Sequence, residues 1–144
     1  MKGKWDAVLS VFAAAGKASV ALLIILLIGA AIHSFVVSRG VSSAENLPRT
    51  KAALASAAHL LFAIGVYWHL ITGGWLTESY SSNDANLINP ALALFEVVAV
   101  GSVIAFWAVP KAATYWFMVD LFFIQVVVAL LILAWFLIIL GTMF

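Results

Sequence analysis

The chain has 144 residues, of which 66% are hydrophobic and 9% are charged, and its net charge at pH 7 is +1. A soluble domain carries about 25% charged residues, so this composition excludes an ordinary soluble fold and predicts a membrane protein. The near-zero charge excludes a nucleic-acid-binding surface. Because the chain has no cysteine, disulfides, thiolate metal sites and covalent c-type haem attachment are excluded as well.

The N-terminal segment 3–16 is too short and too polar to cross a membrane. Its larger apolar residues, among them Trp5 and Phe12, fall at helical spacing on one face. This pattern predicts either a short helix lying in the membrane interface or an extension of the first crossing. No cleavage site for a signal peptide follows it, so we expect the first apolar segment to be retained.

Four apolar segments then follow, each near the length of about 20 residues that a membrane-spanning helix needs. The sequence predicts an all-α integral membrane fold, a single domain over 1–144 with four transmembrane helices in an up-and-down bundle. Pro48 and Pro90 suit the first turn of a helix, and Pro110 suits a tight hairpin. The predicted helices lie at about 18–38, 48–72, 90–109 and 113–142.

Basic residues give the predicted orientation. The 39–50 and 110–112 loops and the helix start beside them carry Arg39, Arg49, Lys51 and Lys111, against three lysines near the N-terminus on the other side. The positive-inside rule therefore predicts that these two loops are cytoplasmic. We expect the membrane to be a prokaryotic cytoplasmic membrane.

Two histidines fall at nearly the same predicted depth on consecutive antiparallel helices. His33 lies about 7 Å from the centre of the first helix, and His59 about 4 to 5 Å from the centre of the second, both towards the side of the 39–50 loop. Gly29 and Ala55 precede them by one turn and leave space for a flat macrocycle. A b-type haem held by His33 and His59 is the cofactor that this pattern predicts.

Other interpretations of these histidines stay open. Small residues are common in membrane helices because they allow close packing, and a histidine there often forms an interhelical hydrogen bond. Bacteriochlorophyll, which takes one imidazole per magnesium, would also suit the small residue before each histidine. His69 falls in an aromatic cluster nearer the other side of the membrane. It predicts a hydrogen bond to a quinone headgroup or, more simply, an interfacial histidine.

Three further polar residues lie within the predicted spans: Glu96, Asp120 and Gln125. An acid at this depth costs about 2.5 to 3.5 kcal/mol on insertion scales, so it should face protein or water. By height the titratable groups run His69, Glu96, His59, His33, Asp120. This series indicates a proton path, a set of interhelical hydrogen bonds, or contacts with a partner subunit.

Together these features predict a small integral subunit of a respiratory or other electron-transfer complex. It would anchor larger subunits in the lipid bilayer and hold one b-type haem near a quinone site. This architecture is broadly similar to that of haem b anchor subunits of quinone-linked dehydrogenases, although no diagnostic motif of those families is present. The alternatives are a purely structural accessory subunit, an oligomeric proton or ion transporter using Glu96 and Asp120, and a bacteriochlorophyll-binding light-harvesting subunit. No nucleophile with its base is visible, so we expect no catalysis by this chain alone.

Overall fold

Four α-helices follow one another in the computed structural model, which describes residues 2–40, 47–72 and 88–144. All four are long and apolar enough to cross a membrane. The prediction of an all-α bundle of four membrane-spanning helices is therefore confirmed. The helices are α1 (Lys2–Ser38), α2 (Arg49–Ile71), α3 (Ile88–Ala108) and α4 (Ala112–Met143).

The N-terminal segment is part of the same helix as the first crossing, which spans Val20–Ser38. Helix α1 is continuous from Lys2 to Ser38, so a separate interfacial helix over 3–16 was the wrong one of the two interpretations. The physical reason is that this segment contains no proline and is rich in alanine, which continues a helix at the lowest cost of any residue.

Prolines mark the helix ends close to the predicted positions. Pro48 is the residue before α2, with an extended backbone (φ −66°, ψ 105°), rather than its first helical residue. Helix α3 begins at Ile88, two residues before the predicted start at Pro90, because a proline is tolerated within the first turn, where the backbone N–H groups have no helical partner. Pro110 lies in the short connection between α3 and α4.

Helix α4 is the element on which the others assemble. Helices α1, α2 and α3 all pack against it, α3 also contacts α1 and α2, and α1 and α2 are not a closely packed pair. The buried residues of α4 recur every three or four positions at Tyr115, Met118, Leu121 and Gln125, which is the spacing of one helical face. Phe106 contacts Tyr115 at one end of α3, and Glu96 contacts Gln125 further along, so α3 and α4 are antiparallel.

Small residues bring the helices together. Ala52 and Ala55 of α2 are buried against Phe106, Tyr115 and Met118 in one cluster. Ala30 and Ala99 are buried against Phe95 and Leu121 in a second cluster. Lipid is as apolar as these side chains, so helix association in a membrane depends on close van der Waals packing, which small residues allow.

Beyond Gln125, most of the large side chains of α4 are exposed. Leu130, Leu131 and Phe136 are among its many exposed large apolar side chains. At 32 residues the helix is about 48 Å long, which exceeds the hydrocarbon thickness of about 30 Å. This part of α4 therefore contacts lipid or another apolar protein surface, as its uniformly apolar sequence predicts.

Two leucines of α4 offer a matched test of the packing. Leu121 is fully buried, whereas Leu130 is 59% exposed. We expect Leu121→Ala to lower the free energy of unfolding in lipid or detergent by about 2 kcal/mol, because the truncation leaves a cavity and removes van der Waals contacts. The hydrophobic transfer term does not add to this loss, because lipid is as apolar as leucine. Leu130→Ala should change it by less than about 0.5 kcal/mol. Equal losses for the two variants would contradict the packing described here.

Candidate functional site

The polar residues of the predicted spans form two separate sets of contacts. The first joins α2, α4 and α3 inside the bundle and is called here the His59–Gln125–Glu96 network. His59 Nε2 lies 2.9 Å from the carbonyl oxygen of Met118, and His59 Nδ1 lies 2.9 Å from Gln125 Oε1. Gln125 Nε2 donates to Glu96 Oε1 over 3.1 Å. One imidazole, one amide and one carboxyl group thus connect three helices.

Residue spacing along α2 explains why His59 is buried. Ala55 and Ser56 lie three and four residues after Ala52, His59 lies four and three residues after them, and all four are buried. The Ser56 hydroxyl donates to the Ala52 carbonyl oxygen within the helix and accepts from Trp107 Nε1 of α3. This face of α2 therefore lies tightly against α3 and α4 and carries the imidazole into the bundle. The Phe122 ring lies nearly perpendicular to the imidazole of His59, with ring centroids 6.4 Å apart.

Glu96 ends the network with one oxygen unused. Its side chain is 5% exposed, and Oε2 has no hydrogen-bond partner among the residues that the structure describes. An ionised carboxylate is expensive at this depth unless it is paired. The free oxygen is thus a feature of the network that packing alone does not explain.

The second set is the His33–Asp120 pair, which joins α1 to α4. His33 Nδ1 lies 2.8 Å from Asp120 Oδ2. The His33 side chain is 58% exposed and that of Asp120 18% exposed, so this pair lies at the outer surface of the four helices. Both residues belong to membrane-spanning segments, and this surface therefore faces lipid or another protein.

Helix α4 lies between the two histidines. His33 contacts α4 at Asp120, and His59 contacts it at Gln125 and at Met118. At 100° per residue, Asp120 is about 140° around the helix from Gln125 and about 160° from Met118. The matched depth that the sequence predicts for His33 and His59 thus does not bring their rings face to face.

This geometry does not fit one haem held by both histidines. Axial ligation needs a ring nitrogen free to bind iron, and both nitrogens of His59 already contact protein oxygens. Among the described residues no group of three or more His, Asp or Glu side chains could hold a metal ion. Haem and bacteriochlorophyll stay predictions that a visible spectrum must test.

The predicted series of titratable groups divides in the same way. Glu96 and His59 are linked through Gln125, while His33 and Asp120 form their own pair on another face of α4. Glu96 and Asp120, the two acids of the transporter hypothesis, are not brought together. His69 lies in α2, but its side chain falls outside the part of the chain that the structure describes, so its quinone contact stays a prediction.

Two partners were missed from the sequence. The Met118 carbonyl oxygen accepts from His59, and no sequence pattern identifies a backbone acceptor within a helix. The role of Gln125 as the link between two helices was also missed, although a signal existed: Gln125 is the only glutamine of the chain and shares the helical face of Met118 and Leu121.

Comparisons with protein-family models, with curated protein sequences and with solved structures find no match to this chain.

A double-mutant cycle measures the central contact of the network. With His59→Leu and Gln125→Leu, we expect a coupling free energy of about 1 kcal/mol in unfolding measurements, within the range of interhelical hydrogen bonds in membranes. The matched control combines His59→Leu with Asp120→Leu, because His59 contacts one face of α4 and Asp120 lies on another face of the same helix. That cycle should give less than about 0.5 kcal/mol. Equal coupling in both cycles would contradict the separation of the two polar sets.

Proposed function

We propose that this chain is a small integral subunit of a multi-subunit membrane assembly, a respiratory or other electron-transfer complex, in which it anchors larger subunits near a quinone site. The observation that carries its place in an assembly is the His33–Asp120 pair within the membrane-spanning surface, where the His33 side chain is 58% exposed. Ionisable residues in membrane helices almost always face protein or a water-filled cavity. A neighbouring subunit over this surface would remove the pair from hydrocarbon.

The apolar surface around the pair supports the same conclusion. Ile32 and Val36 of α1 are 59% and 60% exposed on either side of His33. A partner helix that packs there would combine van der Waals contact with a hydrogen bond to the imidazole, and both contribute to helix association in membranes.

The electron-transfer part of the proposal rests on sequence features: four crossings, little chain outside the membrane, and histidines within the spans. The alternative is a purely structural accessory subunit. It is supported by the His59–Gln125–Glu96 network, whose groups form hydrogen bonds within the chain and so would stabilise the bundle without any cofactor.

Purification from native membrane in mild detergent tests membership in an assembly. We expect the chain to migrate with larger proteins, and the double variant His33→Leu/Asp120→Leu to release it while the chain remains folded, because its buried network is intact. The control Ile104→Ala alters an exposed apolar position on α3 and should leave the assembly unchanged. Migration of the unaltered chain alone would contradict the proposal.

A visible spectrum of the same preparation separates the two forms of the proposal. Electron transfer through a b-type haem predicts α-band and Soret peaks that change on reduction with dithionite. A purified assembly without these peaks would remove the haem and leave the structural accessory subunit.

The proposed orientation has a simple test because the chain lacks cysteine. Lys111 and Phe144 are exposed near opposite ends of α4. With the 39–50 and 110–112 loops cytoplasmic, a membrane-impermeant maleimide should label Phe144→Cys in intact cells and Lys111→Cys only after permeabilisation. The opposite labelling pattern would reverse the orientation, and labelling of both in intact cells would contradict a single crossing by α4.

A further inference from the structure

The hydrogen-bonding protons of the His59–Gln125–Glu96 network can occupy more than one set of positions. A backbone carbonyl oxygen only accepts hydrogen bonds, so His59 Nε2 must carry a proton to donate to Met118. The other nitrogen, Nδ1, faces one end of the Gln125 amide, whose opposite end faces Glu96. Whether Nδ1 also carries a proton therefore depends on whether the amide oxygen or the amide nitrogen of Gln125 faces the histidine.

Two arrangements satisfy every contact of this network. In the first, a doubly protonated His59 donates from Nδ1 to Gln125 Oε1, and Gln125 Nε2 donates to an ionised Glu96. In the second, the amide is turned by half a rotation: a protonated Glu96 donates to Gln125 Oε1, and Gln125 Nε2 donates to a neutral His59. The heavy atoms keep their places, because amide oxygen and nitrogen are nearly equal in size.

We infer that these three residues form a buried proton-binding site, in which one proton is shared between Glu96 and His59 and the Gln125 amide relays it. Moving from the second arrangement to the first breaks the O–H bond of Glu96 and forms an N–H bond at His59 Nδ1, while the amide reverses. The network is electrically neutral as a whole in both arrangements, so the apolar surroundings never hold a single uncompensated charge.

The surroundings isolate this proton. Glu96 is the only titratable residue of α3, and the titratable residues of α4 are Tyr115 and Asp120. Asp120 contacts His33 of α1 on a different face of α4. On α2 the remaining titratable residues are Arg49 and Lys51 at one end and Tyr67 and His69 towards the other. Each is at least eight residues from His59, or about 12 Å along the axis.

The unused oxygen of Glu96 is the second observation behind this inference. Glu96 Oε2 is buried without a hydrogen-bond partner among the described residues. A carboxylate needs partners for both oxygens, whereas a carboxylic acid that donates through one oxygen leaves less hydrogen-bonding capacity unmet. The empty side of Glu96 thus favours the neutral arrangement as the resting one, in which the Gln125 amide is turned by half a rotation from the orientation that places Oε1 towards His59. The site goes beyond the proposed function, since it requires no partner subunit.

The test follows both ends of the site in the whole chain reconstituted in lipid vesicles. Infrared spectroscopy measures the protonated carboxyl group of Glu96, identified by its loss in Glu96→Gln. Nitrogen NMR of labelled histidine measures the protons on His59, identified by His59→Leu. Between about pH 5 and 8, where an ordinary histidine titrates, we expect the protonated fraction of Glu96 and the doubly protonated fraction of His59 to sum to one.

Variants distinguish a proton shared through Gln125 from two groups that are close together but titrate separately. Gln125→Met should break the sum, and Glu96→Gln should leave His59 neutral throughout. Asp120→Asn, on the other face of α4, should change neither signal. Independent titration of His59 and Glu96 in the unaltered chain would overturn the inference, and so would a doubly protonated His59 in Glu96→Gln. If Gln125→Met does not fold, these two measurements still decide.

Discussion

The absence of water within the bilayer core is the constraint on which this structure depends. A polar side chain there must find its partner in protein, and helix α4 supplies those partners on two faces. Asp120 contacts α1, while Gln125 and the Met118 carbonyl oxygen contact α2 and, through the amide, α3. The polar residues thus fix which helix lies on which side of α4, and small residues such as Ala52 and Ala99 allow the close approach that these hydrogen bonds need.

The two polar sets differ in whether they are enclosed in the bundle or exposed at its outer surface. The His59–Gln125–Glu96 network is enclosed, and it stabilises the bundle and holds its groups away from lipid. The His33–Asp120 pair satisfies one nitrogen of His33 but lies on the outer surface. Internal pairing therefore accounts for the three-helix contact at His59, whereas the His33–Asp120 pair, which joins α1 to α4 at the outer surface, supports the proposal of a neighbouring protein. This difference is why assembly, rather than catalysis by the chain itself, is the function proposed.

Much of the fold was predictable from the sequence because the bilayer sets a length and a polarity for each span. Apolar runs and prolines located all four helices to within two residues, apart from the start of α1 at Lys2. Depth was also readable, since rise per residue is constant. The rotation of each helix about its own axis was not predictable, because the face on which a residue is buried depends on which helices become neighbours. For this reason, the similar depth of His33 and His59 did not predict that they contact different faces of α4, and the link through Gln125 was missed.

The distance from the Gln125 side chain to the histidines is the most direct test of this helix packing. Gln125 is the only glutamine of the chain, so a side-chain carbonyl carbon labelled in glutamine gives a single signal, and solid-state NMR can measure its coupling to labelled histidine nitrogens in lipid. We expect strong coupling to one histidine only, which is lost in His59→Leu and unchanged in His33→Leu. Coupling to His33 instead, or to none of the histidines, would contradict the placement of α4 between the two imidazoles.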